Sequence, residues 1–436
     1  MKRIIERAGS AKRFDLEAVE TGLRAAVLAA GAKALEGLLR GVGCGRRSEA
    51  VMCSCGARMQ STGLAAKPLL TILGEVAFTR SRYECPACGA SRHPGDEELG
   101  VSGTSRSPGL QRMMSRAGHR DTFKEGREDL RVYAGVTVSA KDVERVAEKV
   151  GAEMEAWSAK ERIALLAAEA QEGARLAAKT IPIMYIEYDG TGVPMVPAAV
   201  QGRKGKQKDG SAKTREAKLG CVFTQTGVDD EGRPARDPAS TTFVGAIETA
   251  EHFGERIYAE ALRRGLNHAA KVVVLADGAP WIRGLAQMHF PQAIQIIDLY
   301  HAKEHVADPA KMLWPNDEKQ CHRNRLRWWT DLEEGKIENI IRAAQKQTPS
   351  KDLADNVRRE INYLSENKDR MRYAACRDQD LFVGSGVVEA GCKSVIGKRL
   401  KQSGMEWSVR GANAIISLRC MHLSGRVEEF WESRCA

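Results

Sequence analysis

After residue 180 the chain lays out five apolar runs in an order that few sheet topologies can satisfy. The runs at 183–188, 219–226 and 241–247 follow one another with only short polar links, whereas those at 271–276 and 293–297 are each preceded by helical periodicity, at 251–264 and 280–289. Short links join antiparallel neighbours and helical crossovers join parallel ones, so this order predicts a mixed sheet covered by helices. Strand, strand, strand, helix, strand, helix, strand leaves little choice of architecture.

Two of the runs end on an acid. Asp189 follows Ile186-Glu187-Tyr188 and precedes Gly190-Thr191-Gly192, and Asp277 follows Val274-Leu275-Ala276 and precedes Gly278. Asp-Gly is a common turn dipeptide, so either residue alone reads as the cap of its turn. Together, at separate strand ends of one sheet, they read as ligands of a cation, because an ionised carboxylate beside an apolar strand needs a counter-charge. Hard oxygen ligands suit Mg²⁺. Two such ions can activate an attacking hydroxyl and stabilise a leaving oxygen. A third acid is expected from the last core helix, around 386–400, where Ser385 is placed to cap and Glu389 falls in the second turn. Lys393 follows four residues on. The strand order is that of a ribonuclease-H-like α/β core, and the purely helical periodicity from 300 to 377 reads as an insertion before its last helix. Glu360, inside that insertion, is expected to stand apart from the chemistry.

The segments in front of this core are of a different kind. Leu23, Val27, Leu35, Leu38 and Leu39 recur at helical spacing and stop at Gly41-Val42-Gly43. Cys53-Ser54-Cys55-Gly56 and Cys85-Pro86-Ala87-Cys88-Gly89 then flank a strand-like stretch. Two glycine-terminated cysteine knuckles are what a structural, tetrahedral Zn²⁺ site requires, so Cys53, Cys55, Cys85 and Cys88 are its candidate ligands. The first knuckle has one residue between its cysteines rather than two, which leaves reduced thiols in a small hairpin, or Cys44 or His93 as substitute ligands, as open readings. Beyond it, 121–150 reads as two helices around Gly135 with Ser139 capping the second. This is either a helical connector or a helix-turn-helix that would turn Lys141 and Arg145 toward DNA. A long Ala/Glu-rich helix follows, to about residue 179. The expected divisions are N-terminal helices at 1–45, a zinc-ribbon-like module at 46–105, and a helix-turn-helix with connecting helix at 106–179. The core then occupies 180–299 and 384–436, interrupted by the insertion at 300–383.

The strings Tyr188-Asp189-Gly190-Thr191-Gly192-Val193-Pro194, Leu275-Ala276-Asp277-Gly278-Ala279-Pro280-Trp281 and Gly384-Ser385-Gly386-Val387-Val388-Glu389-Ala390-Gly391 resemble the DDE transposases of bacterial insertion sequences, in particular the Kra group. Lys401-Gln402-Ser403-Gly404-Met405-Glu406-Trp407 fits the same pattern. Asp298-Leu299-Tyr300-His301 is similar to the Asp-x₂-His element of Mutator-like transposases. The resemblance implies Asp189, Asp277 and Glu389 as catalytic acids holding two Mg²⁺ or Mn²⁺ ions. It also implies terminal-inverted-repeat binding by the front end, and DNA strand cleavage and transfer as the activity. His301 is a further catalytic candidate, positioning a phosphate or protonating a leaving group, although a lone histidine on a helix face is as readily structural.

Charge points the same way. Lys and Arg number 67 against 57 Asp and Glu, a formal net charge of +10 with a pI near 9.0, which favours a polyanionic partner. The candidate phosphate contacts are Arg203, Lys204 and Lys206 in a basic loop, and Lys393, Lys398, Arg399 and Lys401 after the third acid. Trp281, Trp314, Trp328, Trp329 and Trp407 read as packing residues, with Trp407 also able to stack on a displaced base. The 11 cysteines are an odd number in a chain whose first residues form no apolar signal core, which fits free thiols plus a metal site. No apolar run approaches the ~20 residues that span a bilayer. The expectation is therefore a cytoplasmic, nucleoid-associated bacterial protein acting on double-stranded DNA, both terminal repeats and target, as a homo-oligomer when bound. A ribonuclease-H-fold nuclease or resolvase without joining activity, and a non-catalytic DNA-binding descendant of a transposase, are the alternative functions.

Overall fold

A computed structural model describes residues 15–172, 180–205, 207–347 and 353–434. The first residues, the last part of the Ala/Glu-rich helix beyond residue 172 and the basic-loop residue Lys206 lie outside them. The chain divides into two compact units, Met1–Val150 with Trp431–Ala436, and Gly151–Phe430.

In the first unit, helix α1 (Leu16–Val42) begins at Asp15, whose carboxylate accepts from the Ala18 amide. It packs through Ala32, Leu35 and Leu39 on Leu69, Val76 and Phe78 of a hairpin formed by β1 (Gln60–Thr71) and β2 (Gly74–Glu84). The short β3 (Ser91–Arg92) continues that sheet. Helices α2 (Pro108–Arg120) and α3 (Phe123–Asp129) are capped by Ser107 and Thr122. A π-helical turn then ends at Gly135, whose φ of +69° is the left-handed conformation glycine tolerates best. The Ser139 hydroxyl accepts from the Asp142 amide at the start of α4 (Ala140–Glu172). The two helices around a glycine are thus present, but the second is continuous with the Ala/Glu-rich helix and 33 residues long. Gly151 lies inside it and packs so closely on another helix that a Cβ would lie 2.1 Å from the Ala414 carbonyl oxygen.

The second unit is built on a five-stranded mixed sheet of β4 (Ile181–Pro194), β5 (Thr214–Gln225), β6 (Thr242–Ala246), β7 (Ala269–Ala276) and β8 (Ile294–Ile297), in the order β8-β7-β4-β5-β6. β4, β5 and β6 are antiparallel neighbours, while β7 and β8 run parallel to β4. One face carries Met184, Ile186 and Tyr188 into a core with α5 (Ala250–Arg263) and α6 (Pro280–His289), through Phe253, Ile257, Ile282 and Leu285. Side chains alternate along a strand, so Tyr185, Glu187 and Asp189 belong to the opposite face. There α11 (Gly386–Gly391) approaches so closely that a Cβ on Gly391 would lie 2.7 Å from the Phe243 ring, and α12 (Val409–Leu423) follows it in the chain.

Between β8 and α11 the chain is helical: α7 (Leu299–Leu313), α8 (Glu318–Glu333), α9 (Ile337–Gln345) and α10 (Ala354–Asn367). Burial repeats at helical spacing, as in Ile337, Ile340, Ile341 and Ala344. Trp328 is fully buried beside Trp314, with ring centroids 5.7 Å apart. None of the described helices is long and apolar enough to cross a membrane.

Candidate active site and cysteine cluster

The register of the parallel strands brings the acids together. Tyr188 pairs with Ala276, and Ala276 with Ile297, so the next residues on three adjacent strands are Asp189, Asp277 and Asp298. They form a row at the carboxyl ends of parallel strands, where open α/β sheets bind ligands. Asp189 does not end its strand. β4 continues through Gly190-Thr191-Gly192, paired with β5, where the Glu216 side chain reaches within 2.3 Å of where a Cβ on Gly190 would be. All three aspartates, with Glu389 of α11 and with Tyr300, His301 and Glu304 of α7, line one cleft of about 640 Å³.

The acids differ in what holds them. Asp298 is buried and committed: it accepts from the His301 amide at 2.7 Å, and from the Ser385 amide at 2.6 Å and hydroxyl at 3.0 Å. Ser385 therefore does not cap α11 with its side chain but ties its start to the end of β8. Asp277 accepts from the Ala279 amide at 2.9 Å. Asp189 accepts from the Gly190 amide at 2.6 Å and from the Cys392 thiol at 3.6 Å. Burial raises its pKa most, the Gly190 amide opposes the rise, and the neighbouring Asp277 charge adds to it. Glu389 is exposed on the cleft wall and makes no ion pair with Lys393, since the helix opens into a π-turn at Cys392–Gly397. Among the described residues, the group of three or more Cys, His, Asp or Glu side chains close enough to hold a metal ion is the cysteine cluster described below.

Behind the row lies Glu187, two residues before Asp189 and fully buried. Burial pushes its carboxyl up to about 8, so it is largely neutral at pH 7. One oxygen accepts from the Val388 amide at 2.8 Å, fastening α11 to β4 one residue before Glu389. An acid inside an otherwise apolar strand was the sequence signal for it. A second groove shares Asp277 and His301 with the cleft and is lined further by Arg283, Gln287, His305 and Arg370.

Of the candidate phosphate contacts, Arg203, Lys204, Lys393, Lys398 and Lys401 are exposed on the second unit, and Lys141 and Arg145 on the first. Lys401 also donates to the Thr191 hydroxyl on β4, and Lys141 pairs with Glu144 at 2.5 Å. Arg399 is a correction. It is fully buried, with its guanidinium stacked 4.9 Å from the centre of the Trp407 ring. Trp407 is buried too and donates to the Leu400 carbonyl, which excludes it from base stacking. A run of basic residues on a helix exposes only some of its members, and here the phase turns Arg399 inward.

The cysteine cluster is more compact. The Sγ atoms of Cys53, Cys55, Cys85 and Cys88 all lie within 4.8 Å of one another, with Cys53–Cys88 and Cys55–Cys85 at 3.5 Å. Zn–S bonds of about 2.3 Å in a tetrahedron give edges of about 3.8 Å, so the four sulfurs could hold a zinc ion. Both knuckles fold alike despite their different lengths. The amides of Gly56 and Gly89, at φ +85° and +71°, donate to the carbonyls of Cys53 and Cys85. The Cys55 amide and then the Cys88 thiol draw the Cys53 thiol down to about 6, toward the thiolate a metal needs. Cys44 instead accepts from the Ser81 hydroxyl at 3.3 Å, and neither it nor His93 belongs to the cluster.

No protein-family model matches the chain, and no curated protein matches it. Among solved structures, the Drosophila P element transposase strand transfer complex is similar at 10% identity and a TM-score of 0.23, over 78% of this chain and 84% of that one. At this identity and TM-score no residue of one chain can be carried to the other.

Proposed function

We propose that the chain is a DNA transposase of the DDE type, of the Kra group that its motifs resemble. In this reading the sheet is a ribonuclease-H-like core with a helical insertion, and Asp189, Asp277 and Glu389 hold two divalent metal ions for strand cleavage and strand transfer. One observation carries the proposal: the strand register that sets Asp189 of β4 beside Asp277, just past the end of β7, with Glu389 delivered to the same cleft by α11. The donor set is entirely oxygen, which suits ions that keep water and substrate phosphate in their shells. When bound, Mg²⁺ or Mn²⁺ would supply Lewis acidity at the reacting phosphate. The protein's own part is positioning. Glu187 and Ser385 fix α11 against β4 and β8, and the exposed Lys393, Lys398 and Lys401 attract the phosphate backbone. The first unit, with Zn²⁺ at its four cysteines, binds the terminal repeats, and the protein works on DNA as a homo-oligomer.

The test is incubation of the full chain with linear DNA carrying the element's ends and a target plasmid, in Mg²⁺, in Ca²⁺ and in chelator. Cleaved and joined products should form in Mg²⁺ only, because the larger Ca²⁺ binds such ligands in a looser geometry. Cleavage without joining would favour a nuclease or resolvase, and binding without cleavage a non-catalytic descendant.

A further inference from the structure

His301 reaches the acid cleft from α7, and behind its ring runs a hydrogen-bonded chain that holding metal ions does not require. His305 lies one turn further along α7, with ring centroids 4.7 Å apart and the two Nε2 atoms at 3.2 Å. Its Nδ1 is 2.7 Å from Oε2 of Glu360 on α10, and its ring stacks on Tyr363 at 3.9 Å and 24°. Tyr363 in turn presses against the residue after Asp277: its hydroxyl oxygen stands 1.8 Å from where a Cβ on Gly278 would be. The chain is therefore clamped to the same loop that carries the second acid.

With Glu360 ionised and His305 neutral, proton counting gives its direction. An ionised carboxylate only accepts, so Nδ1 of His305 donates to Glu360. A neutral His305 then has only a lone pair at Nε2. Two ring nitrogens 3.2 Å apart need one proton between them, and His301 Nε2 must supply it. His301 is left with an unprotonated Nδ1. The cleft that His301 lines also holds Asp189, Asp277, Asp298, Glu304 and Glu389, and the adjoining groove adds Arg283, Glu366 and Arg370.

We propose that Glu360 and His305 are positioning residues that hold His301 in its Nε2–H tautomer, so that His301 enters the cleft as a hydrogen-bond acceptor orienting the attacking hydroxyl of water or of a 3′ end. This deepens the transposase reading and rests on it. It also reverses the expectation that Glu360 stands apart from the chemistry, since the helical insertion carries it to the back of the site.

The experiment is a long-range ¹⁵N–¹H correlation spectrum of the full-length chain labelled at histidine, without divalent metal, with His301 and His305 assigned from His301→Gln and His305→Gln. Wild type should show His301 protonated at Nε2 and bare at Nδ1. In Glu360→Gln the amide can either accept from or donate to His305 Nδ1, so the bias toward the Nε2–H form is lost and both tautomers of His301 should appear. The rate of Mg²⁺-dependent cleavage at saturating DNA should then fall about 10- to 100-fold, with the DNA concentration for half-maximal rate unchanged. A wild-type His301 protonated at Nδ1 overturns the proposal, as does a Glu360→Gln chain with unchanged tautomers and rate. The spectrum separates this failure from that of the transposase reading: Asp277→Asn should abolish cleavage and leave the His301 tautomer as it is. A wild type that never cleaves refutes the function while the tautomers still report on the chain.

Discussion

The cysteine cluster and the acid cleft each offer four metal-ligating side chains, yet one is closed and the other open. The Sγ atoms of Cys53, Cys55, Cys85 and Cys88 lie within 4.8 Å of one another on two backbone knuckles, close enough to hold one ion. Asp189, Asp277, Asp298 and Glu389 line one cleft, and Asp298 is occupied with amides and a hydroxyl. Soft thiols that fill a tetrahedron leave no place for substrate, as in a structural zinc site. Hard carboxylates spaced along strand ends leave most of a metal's shell to water and phosphate, as catalysis on a polyanion requires. The same contrast separates what each region's metal would do for stability.

The largest effect should come from breaking the closed site. Cys85→Ser, or a strong chelator, should remove zinc and unfold the small module of Val51, Met59, Tyr83 and Cys85, a loss on the order of 10 kcal/mol of metal-linked folding energy. Metal analysis with hydrogen exchange checks this. Exchange should rise across 51–90 and stay unchanged in β4 and β7, whereas protection retained without zinc would show that the module folds on its own apolar contacts.

A smaller effect belongs to the buried acid behind the open site. The Glu187 carboxyl is raised from 4.5 to about 8 in the fold, so between those values the native chain holds a proton that the unfolded chain has lost. Stability attributable to this group is therefore unaffected below about 4.5 and falls as pH rises toward about 8. In metal-free buffer Glu187→Gln keeps an acceptor for the Val388 amide and removes the titration. It should flatten that decline by on the order of a few kcal/mol. Urea unfolding at several pH values measures it, and parallel curves for the two proteins would contradict the buried, neutral assignment.

Smallest is the difference between neighbours in one basic run. Lys398→Ala should lower DNA affinity and reduce the salt slope by about one, with unfolding unchanged. Arg399→Ala, which removes the cation stacked on Trp407, should lower the unfolding midpoint and leave the salt slope alone. A salt slope altered by Arg399→Ala in a fully folded protein would reverse this assignment.

Much of this organisation is legible along the chain because it is periodic. The five strands lie within a few residues of the apolar runs that announce them, and α6 spans the expected residues, since alternation and helical spacing are local properties. Asp189, Asp277 and Glu389 are legible as candidates for the same reason, as acids placed where an apolar run stops or a helix begins. What escapes is set by partners distant in sequence. Glu360 meets His305 across 55 residues, and Ser385 meets Asp298 across 87. No local pattern encodes either pair. Arg399 escapes because a charge run says nothing about helix phase, and the extension of β4 past Asp189 because it rests on pairing with β5, a partner distant in the chain.

The central claim is that Asp189, Asp277 and Glu389 act as one metal-holding set, and single-turnover cleavage of end-bearing DNA in Mg²⁺ tests it most directly. Asp189→Asn, Asp277→Asn and Glu389→Gln keep size and hydrogen bonding but remove a ligand charge. Each should slow cleavage by about three orders of magnitude or more while binding the ends as wild type does, and any two together should cost little more than one. Wild-type cleavage by any of the three variants would remove that residue from the set, and Asp298, next in the row, would be the first residue to put in its place.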